Sequence, residues 1–239
     1  MCVVVWHNCS IDIDTVVSNG AVMAYGYRIG RIPSTTIQRL PRYLRVLRSL
    51  ASQGREVVSS ARLAEVLSLD AVQVRKDFGF LQITGRPKTG FRVEELVDAI
   101  EQALCWNRVT DAVLVGVGHL GAALLGYDGF AHHGVDIVAA FDREAERIGP
   151  RVHGVSVEPM DALASRIRAM NVAMAILTVS PEGAQDVAEA LVEAGIQGIW
   201  NFTGQALRVP DSVIVQDQDI AIGLALLSAK LTARRAERE

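Results

Sequence analysis

Cysteine is scarce: Cys2, Cys9 and Cys105 are the only three in 239 residues, an odd and scattered set that argues against a disulfide framework. No apolar run approaches the roughly 18 residues needed to cross a bilayer, and apolar residues 3–5 follow no basic stretch and are too few for a secretory leader. The expected compartment is therefore the cytoplasm, with no membrane partner. Metal-ligand groupings are sparse too. Cys2, His7 and Cys9 lie in a segment without pattern, and neither Cys105 nor His132-His133 has ligand company, so no metal is expected. Aromatic residues make up only 5%, yet half the chain is apolar and 21% is charged. That is the ordinary globular balance, and it excludes a disordered or collagen-like chain.

Acidic residues are missing altogether from residues 31–55, which carry six arginines. The asymmetry extends further. Residues 31–108 hold 13 Lys/Arg against 8 Asp/Glu, whereas residues 109–239 hold 10 against 17, within a net charge of −3. A basic first part joined to an acidic second part suits a phosphate-facing module tethered to something else.

Residues 1–30 show no sustained period and read as a poorly ordered extension. Met23 lies close to where patterned sequence begins, so a start assigned too far upstream is an alternative reading of that segment. From Ile37, the apolar positions Ile37, Leu40, Leu44, Leu47 and Leu50 recur at three- and four-residue steps, one face of a helix. Pro41 removes a backbone donor there, so a kink or restart is expected. Two short helical patterns follow, over 59–67 and 71–78, with Ser59 and Asp70 placed as N-caps. They read as a helix-turn-helix, whose second helix would enter a major groove with Gln73, Arg75 and Lys76 near its start. Gly85 and Gly90 then bracket Arg86 and Lys88 in a small β-hairpin, which completes a winged helix. A helix over 94–104 closes this domain, and residues 106–110 form a linker.

At Asp111 the pattern changes. The apolar run 112–115 leads into Gly116-Val117-Gly118-His119-Leu120-Gly121 and a helix, and a second strand over 135–141 ends at Asp142. A glycine fingerprint alone is a weak signal, but here it follows a strand, opens a helix and precedes an acidic residue at a spacing of 21. Gly116 suits the tight turn, Gly118 the close approach of a pyrophosphate and Gly121 helix–strand packing. Asp142 suits the ribose hydroxyls of NAD and disfavours the 2′-phosphate of NADP, an option that Arg143 beside it keeps open. The alternation continues with helices near 161–170 and 182–193 and strands near 172–179, 198–201 and 212–215. The expected fold is thus α/β: an N-terminal winged-helix DNA-binding domain over 31–108, a Rossmann domain with a doubly wound parallel sheet over 109–216, and a terminal helix in 217–239. That helix has too many apolar positions for a free tail, which points to a partner subunit.

This arrangement resembles the Rex family of redox-sensing transcriptional repressors. The resemblance spans about residues 31–232. It rests on Ile32-Pro33, Arg39-Leu40-Pro41-x-Tyr43-Leu44-Arg45, Val58-Ser59-Ser60, Gln73-Val74-Arg75-Lys76-Asp77, the glycine fingerprint, Tyr127-x-Gly129-Phe130, Phe141-Asp142, Gly195-Ile196, Asn201-Phe202 and Val209-Pro210. It implies a homodimer that grips a palindromic operator and releases it when NADH, but not NAD+, occupies the Rossmann domain. By position it implies DNA contacts from Arg39, Arg42, Ser59, Ser60, Gln73, Arg75, Lys76, Arg86 and Lys88. The dinucleotide site would comprise residues 116–121, Asp142, Arg143, Thr178, Val179 and Asn201. A switch would involve Arg45, Tyr127 and Asp219, with the terminal helix exchanged between subunits. No catalytic residues are implied.

The chain departs from the family pattern at Phe78-Gly79-Phe80 after the recognition helix, at the wing tip Pro87-Lys88-Thr89, and at Ser180, Thr203, Gly204 and Ile220 around the expected nicotinamide end. The latter group supports an alternative, a Rossmann-type regulator with altered or lost nucleotide sensing. A small NAD-dependent dehydrogenase is the other alternative, but it lacks a substrate domain and an evident acid–base pair.

Overall fold

The computed structural model describes residues 32–149 and 151–236, preceded by four two-residue backbone strands, β1 (Val5–Trp6), β2 (Cys9–Ser10), β3 (Met23–Ala24) and β4 (Tyr27–Arg28). The remainder of the extension expected over 1–30, and the side chains of Cys2, His7 and Cys9, lie outside the described residues. The chain divides into two compact units between Arg108 and Val109.

In the first unit, α1 (Ser34–Ser52) buries Leu40, Leu44 and Leu47 of the expected stripe, and Tyr43 beside them, while Ile37 and Leu50 are half-buried. It runs without interruption through Pro41, where the sequence suggests a kink or restart. Proline removes one donor, and the burial of Leu40, Tyr43 and Leu44 around it outweighs that single bond. Strand β5 (Val57–Val58) leads to α2 (Ser60–Leu67), capped by the Ser59 hydroxyl, which accepts from the Arg62 amide at 3.1 Å. A left-handed Ser68 turns the chain into α3 (Ala71–Phe80), capped by Asp70, whose carboxylate accepts from the Val72 amide at 2.5 Å. Strand β6 (Phe91–Arg92) and α4 (Val93–Ala103) follow, with α4 packed along α1. Phe78 sits at the centre, edge-on to Tyr43 and to Phe91, with ring centroids 5.1 Å apart in each case.

The wing differs from the expected self-contained hairpin. Strand β6 pairs with β5, from before the two helices, while residues 86–90 close a tight turn of their own through an isolated Arg86–Gly90 bridge. The reason is local: between α3 and β6, Gln82 and Lys88 take left-handed φ of 57° and 66°, which interrupts the extended backbone a longer strand would need.

The second unit is built on a seven-stranded sheet in the order β13-β12-β11-β7-β8-β10-β9. The strands are β7 (Thr110–Val115), β8 (Val135–Asp142), β9 (Arg151–Val152), β10 (Val155–Pro159), β11 (Met174–Leu177), β12 (Gly198–Asn201) and β13 (Ile214–Asp217). All pairings are parallel except β9 with β10. With β7 as the first strand, this is the doubly wound dinucleotide-binding order plus one antiparallel edge strand. The central strands are buried on both sides, which explains their nearly continuous apolar runs.

Alternate residues serve opposite faces. Val113, Val115, Phe141, Ala175 and Leu177 pack with α7 (Leu163–Met170) and α8 (Pro181–Ala194). Leu114, Ala140 and Ile176 pack with α5 (His119–Leu125) and α6 (Gly129–His132). Helix α9 (Ile220–Ala236) buries no residue within the chain. The sequence reading omitted the β9–β10 pair, and also α6, a single turn too short to carry a period.

Candidate functional site

The carboxyl ends of β7, β8 and β11 meet at the point where strand order reverses, the usual ligand crevice of such sheets. A cavity of about 290 Å³ lies there, lined by the loop glycines Gly116 and Gly118, by Asp142, Arg143, Glu144 and Arg147 after β8, and by Thr178, Val179 and Ser180 after β11, with Met160, Gly183 and Val187 completing the wall. Gly116 has φ of 98°, and a Cβ there would stand 2.8 Å from the backbone joining Thr178 and Val179. At Gly121 a Cβ would lie 2.0 Å from the Gly116 carbonyl oxygen. Both glycines are therefore required by the fold itself. Gly118 is different: a Cβ there meets nothing within 4 Å. Its lack of a side chain leaves the turn open where α5 presents its first amides, a cradle that fits a pyrophosphate.

Asp142 is buried and shapes that cradle. Its carboxylate accepts from the Val117 amide at 2.6 Å, the Glu144 amide at 2.9 Å and Arg147 Nη1 at 3.3 Å. Burial opposes its charge, but the amides of Glu144 and Val117, then Arg147, outweigh burial and hold the carboxyl below its usual range. The Thr178 hydroxyl donates to the Gly116 carbonyl at 2.7 Å and so ties the glycine turn to β11.

Not every expected residue lines the cavity. Val117 is buried behind the turn, Leu120 is half-buried, and His119 is exposed as the first residue of α5. Asn201 is turned away into a closed network, donating to the Asp217 carboxylate at 2.7 Å and the Gln205 carbonyl at 2.8 Å. It also accepts from the Thr203 hydroxyl at 2.7 Å and the Thr203 amide at 3.1 Å. This gives Thr203 a local role in closing the turn after β12. Arg147 and Met160 were missed by the sequence reading. Arg147 was legible as a basic residue five places after Asp142, whereas Met160 follows β10, a strand that carried no recognised signal.

Tyr127 is exposed and stands edge-on to Phe130 at 5.1 Å, from which contacts continue to Trp200 at 5.9 Å and on to Phe202 at 4.7 Å. Asp219 caps α9, its carboxylate accepting from the Ala221 amide at 2.7 Å. Arg45 is exposed on α1.

In the first unit the expected DNA contacts divide by environment. Arg75, Lys76, Arg86 and Lys88 are exposed. Arg75 Nη1 donates to the Ser60 hydroxyl at 3.2 Å, so the start of α2 steadies a cation on α3. Arg42 donates to the Leu67 carbonyl at 3.0 Å, at the end of α2. Arg39 and Gln73 turn inward onto Asp77, to which the sequence reading gives no role beyond its place in a family motif. The Asp77 carboxylate accepts Arg39 Nε and Nη2 at 2.7 Å each, Tyr43 Oη at 2.8 Å, Thr36 Oγ1 at 2.9 Å and Gln73 Nε2 at 2.9 Å. Burial opposes its ionisation, but the Arg39 guanidinium, then Tyr43, Thr36 and Gln73, hold the carboxyl below its usual range. Burial and the bond to Asp77 in turn push the Tyr43 phenol up. The geometry therefore gives Arg39 a fold-holding bond, an inward role that the phosphate-contact expectation did not include.

Among the described residues, no helix is long and apolar enough to cross a membrane, and no group of three or more His, Cys, Asp or Glu side chains could hold a metal ion.

Comparison with known proteins matches both units. Residues 31–79 match the family model "Putative DNA-binding protein N-terminus", and residues 107–204 match "CoA binding domain". Among solved structures, the chain is similar to RSP in complex with β-NADH, with a TM-score of 0.79 and 29% identity over 87% of this chain and 98% of that one. It is equally similar to RSP in complex with β-NAD+ and operator DNA, with a TM-score of 0.80 and 29% identity over 87% and 95%. Curated relatives include the redox-sensing transcriptional repressors Rex of Treponema denticola, 41% identical over 86% of this chain and 98% of the relative, and of Carboxydothermus hydrogenoformans, 40% identical over 83% and 95%. Identity at that level across nearly the whole length of each relative, on a chain with a helix-turn-helix and a dinucleotide cradle, places it in the Rex family of redox-sensing transcriptional repressors.

Proposed function

We propose that this chain is a cytoplasmic, homodimeric repressor that binds operator DNA through its first unit and senses NADH against NAD+ in its second. The observation that carries the reading is the cradle at the carboxyl ends of β7 and β8, where Gly118 leaves room and buried Asp142 stands at the β8 end of the same cavity. The reading assigns the pyrophosphate to the amides after Gly118 and a ribose to Asp142, with Thr178 and Val179 on the β11 side. Arg75 and Lys76 on α3 and Arg86 and Lys88 on the wing take the DNA backbone and base edges, joined by Arg42, Ser59 and Ser60.

Helix α9 supplies the dimer contact in this reading. Ile222, Leu224, Leu226, Leu227 and Leu231 on it are all at least 50% exposed, a surface that a second copy would cover. Asp219 and Tyr127, with Arg45 of the first unit, form the switch that couples nucleotide to DNA. These roles belong to a regulator, and no residue is assigned to catalysis.

Fluorescence anisotropy on a labelled palindromic operator, titrated with NADH and separately with NAD+, tests the reading. Release by NADH alone is the expected result. Linkage requires DNA to oppose NADH by the same factor, about 1–3 kcal/mol in typical cases. DNA binding with no response to either nucleotide would instead support a regulator whose sensing has been altered, the outcome to which the substitutions at Ser180, Thr203, Gly204 and Ile220 point.

A further inference from the structure

Helix α3 turns Val74, Asp77 and Phe78 into the core. The opposite stripe, at steps of three, four and seven residues, is Val72, Arg75, Lys76 and Gly79, all exposed. Arg75 and Lys76 suit phosphates and guanine edges. Val72 does not fit that account. It is 48% exposed, in the first turn of the helix, and its position is fixed because its own amide is held by the Asp70 cap. Its neighbour Gln73, the residue expected to read bases, has its amide nitrogen engaged by Asp77 at 2.9 Å.

The first turn of a recognition helix meets base edges. Of the groups a major groove presents there, the thymine C5-methyl is the apolar one. We propose that Val72 is a specificity-determining residue that reads a thymine methyl in each half-site of the operator. The proposal rests on the DNA-binding reading given above. Val72 then sets which base is preferred at one position, while Arg75 and Lys76 on the same stripe supply most of the affinity.

The test uses the full-length protein and an operator duplex recovered by selection from a randomised pool. Each thymine is replaced in turn by deoxyuridine, symmetrically in both half-sites, which deletes a methyl and leaves base pairing intact. For wild type, one replacement is expected to weaken binding about fifteen-fold, about four-fold per half-site, the worth of one buried methyl group. Val72→Ser should bind thymine and deoxyuridine duplexes alike at that position, whereas Val72→Thr, which keeps a methyl, should retain part of the preference. Melting temperature and NADH affinity of both variants should match wild type, since Val72 is half-exposed and is not one of the residues that form the core of the first unit. A replacement profile that is flat, or that is unchanged by Val72→Ser, overturns the proposal while leaving a sequence-specific, NADH-released duplex to support the function. Recovery of no specific duplex from the pool overturns both.

Discussion

Among the described residues, each of the two units buries one aspartate, and the two carboxylates are held in different ways. Asp77 accepts five hydrogen bonds, all from side chains, drawn from α1 and from α3 itself. A carboxylate offers about four lone-pair directions, so Asp77 has none left for a ligand. Asp142, which lines the cavity, accepts three, two of them from the backbone amides of Val117 in the glycine turn and Glu144 after β8. One acceptor direction remains open there. A buried charge saturated by its own fold holds elements together; a buried charge that is nearly saturated, and faces a cavity, is poised to bind. On the proposed function, the difference separates a scaffold residue from the residue assigned to a ribose.

The sharpest way to break the comparison is to remove each carboxylate. Asp77→Ala leaves Arg39, with its side chain 19% exposed, without its partner. Breaking such a pair costs about 3–5 kcal/mol, so the first unit should unfold in a denaturant titration at a far lower midpoint while NADH affinity is kept. Acid should act through the same carboxyl. Its folded pKa lies below its unfolded value near ~3.9, so its contribution is fully present above that pH and is lost as pH falls through the folded pKa. Urea titrations from pH 7 down to pH 3 should show this loss in wild type and a shallower one in Asp77→Asn. Asp142→Ala should do the reverse of Asp77→Ala, reducing NADH affinity while leaving operator binding intact.

The loop glycines offer the next contrast. Gly121→Ala drives a methyl onto the Gly116 carbonyl, an overpacking that costs about 1–3 kcal/mol and should lower the melting temperature with or without nucleotide. Gly118→Ala meets open space. Its melting temperature should stay at the wild-type value while NADH binding falls about tenfold, or about 1.4 kcal/mol. If both variants lose stability equally, Gly118 is structural and the cradle is misplaced.

Much of this was legible in the sequence, and what was not has a physical cause. The stripe Leu40, Leu44, Leu47, the caps Ser59 and Asp70, and the spacing from Gly121 to Asp142 all act over one or two turns or within one β-α-β unit, so they leave local signals. The Asp77 network joins residues up to 41 apart, and in the sequence Asp77 is one acid in a charged helix. Arg39 reads as one more arginine in a basic stretch, yet its carboxylate partner lies 38 residues away. Asn201 likewise occupies the right strand end, but its orientation depends on Thr203, Gln205 and Asp217, which only the folded turn brings together. Strand β10, and Met160 with it, was missed although Val155-Ser156-Val157-Glu158 alternates apolar and polar residues, because the other parallel strands of this sheet announce themselves by continuous apolar runs instead.

The arginines beside the two aspartates give the finest test. Arg39 contributes two of the five bonds to Asp77 and the leading hydrogen-bond contribution to its charged state. Arg147 reaches Asp142 at 3.3 Å from a side chain that is 43% exposed, and the amides of Glu144 and Val117 contribute more. An ion pair that open to solvent is worth about 0–1 kcal/mol. Arg147→Gln should therefore leave the melting temperature almost unchanged and lower NADH affinity at neutral pH by less than about fivefold. Because the two amides remain, Asp142 stays ionised at pH 7 in that variant, and only the acid limb of a binding-against-pH curve should move upward. Arg39→Gln, measured beside it, should destabilise the first unit severely. Equal effects from the two substitutions would mean that Asp142 depends on its arginine as Asp77 does, and the distinction between a saturated carboxylate and a ligand-facing one would not hold.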